Sequence, residues 1–322
     1  FASKCNDDHM AKAANEKYEI LNYSISLLDT LLALDQMDCD FEKKGILSVF
    51  KDQKNFENHE SINAFLKKYN MGGRRIDKKE LRKLEPALKD DIAGAWLNKA
   101  DWHLKPDMLM SCWRKHLSQK GLIIEEHCNV LKFETRGNKI VGLDTVKGRF
   151  KADEFILATG AWAPRTLRQL NLDLPVQPGK GYSITMERPD ICPTYPCSLY
   201  EKSMVATPWQ SGYRLGGTME FSGYSDHLNP KRLSKLISGA TVYFKEPVGH
   251  PIIEEWTSLR PMTYDDLPII DHAPSHENLI ITTGHGMLGL TLATGTGKIV
   301  ADMVYGKTPE VNIKPFGISR FR

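Results

Sequence analysis

Leu279-Ile280-Ile281-Thr282-Thr283 runs directly into Gly284-His285-Gly286-Met287-Leu288-Gly289, an apolar strand pattern followed by G-x-G-x-x-G. Taken literally, this is the fingerprint of a dinucleotide-binding βαβ unit. Such a unit also needs a following helix, a second parallel strand and an acidic residue about twenty positions on. Only 33 residues follow Gly289, holding one helical pattern over 297–305 and a tail broken by Pro315 and Gly317. The stretch is therefore not the adenylate-binding element. A glycine turn at the end of a strand still offers amide donors and a helix N-terminus to an electron-rich group. Gly295-Thr296-Gly297-Lys298 fails as a phosphate loop, because Leu292 occupies the first glycine position and Ile299 follows the lysine.

A second strand with a small-residue turn lies upstream, Phe155-Ile-Leu-Ala-Thr159-Gly160-Ala-Trp162. Thr-Gly at the end of a buried strand presents backbone N–H groups without side-chain bulk, at the sheet edge where ligands collect in open α/β folds. The plain alternative is a core strand with a turn. Between the two stretches stands Trp256-Thr-Ser-Leu-Arg260-Pro261-Met262-Thr263, followed by Asp265-Asp266. An arginine in an apolar, proline-stiffened setting suits a bidentate grip on a carboxylate. From spacing alone, a structural pair with Asp265 or Asp266 is the commoner outcome.

The rest of the chain is a mixed α/β layout. Helical periodicity covers 10–34, 55–69, 105–119 and 230–244, with Pro106 and Gly121 as start and stop signals and Asp77 capping a short helix. Strand patterns fall at 45–50, 95–97, 122–125, 130–135, 140–145, 154–158, 181–186, 203–207, 213–217 and 279–283. One region is interrupted by another and resumed at the C-terminus. Residues 1–35, 102–174 and 275–322 are expected to form one domain, and 36–101 with 175–274 a second, antiparallel or mixed-sheet domain.

Bulk properties restrict partners. The chain has 322 residues, 26% of them charged, and a formal charge of +3, too small to argue for nucleic acid. No apolar run reaches membrane-spanning length. Six scattered cysteines suit free thiols in a reducing compartment and give no zinc spacing. His272 and His276 have helical metal-pair spacing, but Pro274 between them breaks the helix. No metal site is expected.

In this order and spacing the segments resemble the D-amino acid oxidase superfamily of FAD enzymes, and within it the bacterial D-amino acid dehydrogenase (small-subunit) branch. The likeness rests on Leu84-Glu85-Pro86, Ala158 to Trp162, Leu174-Pro175-Val-Gln-Pro178-Gly179-Lys180-Gly181-Tyr182-Ser183, Arg214-Leu-Gly216-Gly217-Thr-Met-Glu220, Trp256 to Pro268 and Thr283 to Thr291. It runs from the first helix to Ser319-Arg320-Phe321. Members of the family begin with a strand, a G-x-G-x-x-G turn and a helix that hold the FAD pyrophosphate, a unit of about 30 residues or more. Here Phe1 to Met10 reads as the middle of a chain, and Met10 already opens a later helix. The resemblance thus implies an FAD-binding domain lacking its first βαβ unit, and a fragment that holds FAD poorly.

The resemblance implies noncovalent FAD and oxidation of a D-amino acid by hydride transfer from Cα to flavin N5, with hydrolysis of the imine to a 2-oxo acid. Arg260 is then the carboxylate anchor. His285 and donors from Gly286 to Gly289 face the flavin ring, with Tyr182 and Tyr200 on the substrate side. The wider cofactor set is Val130 at the adenine end, Thr159, Gly160, Trp162, Gly284, His285, Gly286, Leu288, Gly289 and Thr291. Electrons are expected to pass to a non-oxygen acceptor such as a quinone or respiratory-chain component. That fits a cytoplasmic protein, or one peripheral to the inner face of the plasma membrane. Two alternatives stay open: a glycine- or sarcosine-type oxidase using O2, and a non-catalytic remnant acting as a partner-binding module.

Overall fold

The computed structural model describes residues 4–34 and 37–321; the reading of Phe1 and the domain break at 35–36 fall outside them. In chain order the elements are α1 (Asp7–Leu34), β1 (Ile46–Phe50), α2 (Gln53–Lys67), β2 (Arg74–Asp77), α3 (Lys78–Leu84), β3 (Gly94–Asn98) and α4 (Pro106–Gln119). Next come β4 (Val130–Arg136), β5 (Lys139–Thr145), β6 (Gly148–Phe150), β7 (Phe155–Leu157) and α5 (Ala163–Leu167). The chain continues through β8 (Val176–Met186), β9 (Cys197–Leu199), β10 (Met204–Trp209), β11 (Gly212–Glu220) and α6 (Pro230–Tyr243). It closes with β12 (Ile252–Thr263), β13 (Ile269–Ala273), β14 (His276–Thr283) and α7 (Gly289–Val304). Side-chain caps start three of the helices: Asp52 accepts from Asn55 N at 2.9 Å, Asp77 from Glu80 N at 2.8 Å and Asn229 from Lys231 N at 3.0 Å.

The largest sheet has eight strands in the order β12-β8-β11-β10-β9-β1-β3-β2. Neighbours are antiparallel except β1 and β9, which run parallel. Alternation along each strand gives the sheet two distinct faces. Leu47, Val49, Ala95, Leu97, Tyr182, Ile184, Met186, Tyr213 and Leu215 turn to one face and pack with Leu81 of α3 and Leu233, Leu236 and Ala240 of α6. On the other face, Phe50 and Trp96 pack with Phe56 of α2. The β8–β11–β12 end of that second face is left open to a cavity.

A three-stranded sheet, β13-β14-β7, joins β14 antiparallel to β13 and parallel to β7. One side packs Leu157, Leu167, Ile269 and Ile281; the other packs Ile270 and Ile280 with Ile20 of α1 and Leu292 and Ile299 of α7. A separate sheet, β4-β5-β6, carries the Arg136–Lys139 hairpin.

The expected mixed α/β layout is found, with corrections at particular elements. Residues 122–125 form no strand: Leu122, Ile123 and Ile124 are exposed and have no partner strand. Strand β13 had been assigned with residues 175–274, but its ladder runs to β14. Helix α7 begins at Gly289, not 297. Gly295 does not break it, because it lies where α1 crosses closely: a Cβ there would sit 2.9 Å from Ser24 Cβ. Ser24 Oγ donates to Thr291 O at 2.5 Å and accepts from Gly295 N at 3.1 Å, tying the two helices together. No described helix is long and apolar enough to cross a membrane.

Candidate active site

Strands β14 and β7 end at the same edge, with Ile281 paired to Leu157. The turns that leave them are joined: Thr283 Oγ1 donates to Gly160 O at 2.8 Å. The two glycine turns singled out by sequence, with Gly160 and Gly284 124 residues apart, are thus one structure at the carboxyl edge of a parallel pair. Gly160, Gly284 and Gly286 all have left-handed φ, at 53°, 76° and 54°, a region glycine enters without penalty. At Gly284 a side chain is also excluded by space, since a Cβ would lie 2.8 Å from Thr263 Cγ2.

The turn from 284 onward feeds α7, whose N-cap, Leu288, makes no side-chain cap. Its first amides, Gly289, Leu290 and Thr291, meet no acceptor among the described residues. Three open N–H groups at the positive end of a 16-residue helix favour an electron-rich ligand atom. Two of the expected donors are corrected: Gly286 N donates to Pro261 O and Leu288 N to His285 O, both at 2.9 Å. Leu288 instead packs its side chain on the α1–α7 core.

Arg260 lies across β8 from Gly179, and its guanidinium rests directly over Gly181. A Cβ on Gly181 would fall 1.7 Å from Arg260 Nη1, so glycine there is a cradle for this side chain. Arg260 has no ion pair, hydrogen bond or ring contact among the described residues, and its Nη1 is buried without a partner. Burial pushes its pKa down from the ordinary arginine value. The structural pairing that spacing suggested is absent, because both aspartates are engaged elsewhere. Arg320 Nε holds Asp265 Oδ2 at 2.8 Å, and Lys17 holds Asp266. A buried guanidinium nitrogen without an acceptor is costly, and an anion placed against Nη1 would offset that cost.

Around Arg260 opens a cavity of about 640 Å³, lined by Ser183, Met204, Val205, Thr218, Met219, Trp256 and Met287 among others. Ser183 Oγ and Thr218 Oγ1 are buried there without partners. Thr218 stands in the bulge between Gly217 and Glu220 with φ at 58°, a strained conformation for a β-branched residue. Arg214 also lines the cavity, and with Thr207 borders a neighbouring one of about 320 Å³ that reaches Leu290 and Thr291 of α7. The sequence reading quoted Arg214 only as part of a motif. Its strand pattern, Tyr213-Arg214-Leu215-Gly216, was the available signal, with apolar residues on the core face and the arginine opposite.

The other expected residues divide. Thr291 lines the smaller cavity. Tyr182 borders the larger one, but its ring is buried in the α6 core and its hydroxyl donates to Glu220 Oε2 at 3.1 Å. Tyr200 borders neither: its ring stacks on Phe50 with centroids 4.6 Å apart, and meets His59 edge-on. His285 turns its Nε2 to Thr296 Oγ1 at 3.0 Å, inside α7. Burial pushes its pKa down to about 4, so it is neutral at pH 7 and braces the turn. Trp162 is half-exposed beside Tyr224, and Thr159 O accepts from Trp162 N at 3.0 Å. Val130 begins β4, exposed on the separate sheet.

The open α7 amides, the glycine turns and the uncompensated Arg260 fit a flavin ring and a carboxylate held side by side. Residues 5–303 match the family model described as FAD dependent oxidoreductase. A D-amino acid dehydrogenase of Neisseria meningitidis is 31% identical over 99% of this chain and 77% of its own, and one of Bradyrhizobium diazoefficiens is 30% identical over 98% and 76%. The solved glycine oxidase of Geobacillus kaustophilus superposes with a TM-score of 0.85 over 94% of this chain and 82% of its own, at 22% identity, a likeness of fold. The chain belongs to the DAO family of FAD-dependent oxidoreductases.

Proposed function

We propose that the protein oxidises D-amino acids to 2-oxo acids and passes the electrons to an acceptor other than oxygen, of the quinone class. The observation that carries this is Arg260, a half-buried guanidinium whose buried Nη1 meets no acceptor among the described residues, on the wall of a cavity that adjoins an uncapped helix N-terminus. Relatives at 30–31% identity over nearly the whole chain are dehydrogenases, whereas the likeness to a glycine oxidase speaks for the fold.

Arg260 binds the substrate carboxylate through charge-assisted hydrogen bonds, and its seat over Gly181 fixes where that carboxylate lies. Fixing one end of a small substrate orients Cα, which is much of what the protein must supply in a cofactor-driven oxidation. The Gly284–Thr291 turn and the 159–162 turn are the segments that would hold the ring, with the amides of Gly289, Leu290 and Thr291 turned to its electron-rich edge. Bound FAD supplies the two-electron acceptor for the Cα hydride. Met204, Val205, Met219 and Met287 give the cavity an apolar lining against the substrate. The imino product then takes up water and releases ammonia outside.

The test is turnover of D- and L-amino acids by protein whose bound flavin has been verified by its visible absorbance, with an artificial dye acceptor under nitrogen and peroxide assayed under air. Dye reduction by the D-isomers with little peroxide is expected. Peroxide release matching turnover would move the protein to the oxidases, and no turnover of any amino acid by protein with flavin bound would refute the assignment.

A further inference from the structure

The cavity holds two guanidiniums and no carboxylate. Arg260 and Arg214 both line it, and no Asp or Glu does. They stand on one face of β8. Arg214 is paired in register with Thr185, and its Nε donates to Thr185 Oγ1 at 2.8 Å; the Arg260 guanidinium rests over Gly181. Residues 181, 183 and 185 share this face, and between the two arginines lies Ser183, whose buried Oγ has no partner. The indole rings of Trp209 and Trp256 flank Arg214, 4.9 and 5.6 Å from its Cζ.

Arg214 is held, and its charge is compensated only by two loose ion pairs. Asp107 and Glu254 pair with Nη2 at 3.8 and 3.9 Å, within ion-pair reach but too far for a hydrogen bond, and both carboxylate side chains are more than half exposed, so a substrate carboxylate could take the closer place. Its terminal nitrogens meet no acceptor among the described residues. Burial pushes its pKa down, as it does for Arg260.

We propose that Arg214 is a specificity-determining residue that receives a second carboxylate, so that the preferred substrates are amino acids whose side chain ends in an acid. This rests on Arg260 as the α-carboxylate anchor. Dimensions support it. Gly181 and Thr185 are four residues apart on one strand, about 13 Å. A guanidinium–carboxylate pair sets its two carbon centres about 4 Å apart, and a five-carbon dicarboxylate separates its carboxyl carbons by about 5 Å. One pair at each end therefore closes the distance with a glutamate-length molecule. Ser183 Oγ, midway, is left to hydrogen-bond the substrate between its ends. The rival occupant is a bulky apolar side chain against Met204, Met219 and Met287.

Calorimetric titration of the flavin-loaded protein with D-glutamate, D-glutamine and D-methionine separates these, since D-glutamine keeps the shape of D-glutamate without the charge. The same titrations are run on Arg214→Met, Arg214→Lys and Arg260→Met, and tryptophan fluorescence reports occupancy beside Trp209 and Trp256. D-glutamate is expected to bind about tenfold or more tighter than D-glutamine. That preference should vanish in Arg214→Met, with D-glutamine affinity unchanged, and return in part in Arg214→Lys. Equal affinities for the two, a preference that survives Arg214→Met, or D-methionine binding tightest would each overturn the proposal while leaving Arg260 as anchor. If Arg260→Met does not weaken binding of any of the three, the anchor reading falls and this inference with it.

Discussion

Replacing Arg260 by Met should make the protein more stable and less able to bind a carboxylate, two changes that a structural arginine could not give together. Methionine follows a similar aliphatic path and places no donor in the interior. The wild-type Nη1 is buried without a partner, and an unsatisfied buried donor costs about 1–3 kcal/mol, more when charged. No ion pair or hydrogen bond of Arg260 is lost, because Asp265 is held by Arg320 and Asp266 by Lys17. Stability should therefore rise by about 1 kcal/mol or more, a gain of about 2–4 °C in melting temperature for a chain approaching this size. A buried charge pair with the substrate carboxylate should disappear, at about 2–5 kcal/mol of transition-state stabilisation. Thermal melts of the unliganded protein and steady-state kinetics with a D-amino acid read the two effects. A fall in melting temperature with kcat/KM preserved would refute the reasoning, since it would mean that Arg260 holds the fold.

Gly181→Ala tests the same anchor without touching its charge. The new Cβ would overlap Nη1 at 1.7 Å, so the guanidinium must lift by more than an ångström, and a misplacement of that size costs about 100-fold in kcat/KM; an unchanged value would show that the cradle is irrelevant. In α7, Gly295→Val should destabilise by about 1–3 kcal/mol through overpacking against Ser24. Gly297→Ala, with nothing within 4 Å of its Cβ, should stabilise by about 0.5–1 kcal/mol; equal effects in chemical denaturation would contradict the packing account. His285 is depressed from 6.5 to about 4 when folded, so the unfolded chain binds its proton more readily between those values. Its contribution, about 3 kcal/mol, is present in full above pH 6.5 and lost as pH falls toward 4. Denaturation midpoints of wild type and His285→Gln should diverge at neutral pH and converge near pH 4, and parallel curves would exclude the linkage.

How much of this was legible depended on whether local pattern and tertiary need agreed. The 279–289 strand and turn, the 155–162 strand and turn, and Arg260 were readable because each is locally consistent. Strand β12 was not read as a strand: its first half, Ile252 to Trp256, is exposed, which removes the two-residue alternation that marks a half-buried strand. The start of β8, before Gly181, was missed because Pro178 and Gly179 look like turn residues; Gly179 and Gly181 are each glycine because a β12 side chain lies across them, Met262 on the first and Arg260 on the second. Gly295 hid the first half of α7 in the same way, by answering to Ser24 of another helix. The burial of the Tyr182 ring was legible. In Gly181-Tyr-Ser-Ile-Thr-Met186 the apolar residues fall on even positions, and that alternation alone puts Tyr182 on the core face and Ser183 opposite it.

The placement of the two arginines follows from how unevenly the second face of the large sheet is covered. Its first face is closed along its length by α3 and α6. The second is closed only at the β1–β3 end, where α2 brings Phe56 against Phe50 and Trp96. At the β8–β11–β12 end a third hydrophobic layer is absent, and the strands there present Gly181, Ser183, Thr185 and Gly216 instead of branched apolar residues. Small and hydroxylated positions leave room for long side chains to lie flat on the sheet, and both that do so are arginines with unused donors. A sheet that needed only stability would place Val or Ile at these positions and another helix above them. Instead the same ladder that forms a core at one end carries two half-buried guanidiniums at the other, Arg260 with a buried Nη1 that meets no acceptor among the described residues and Arg214 in two loose ion pairs.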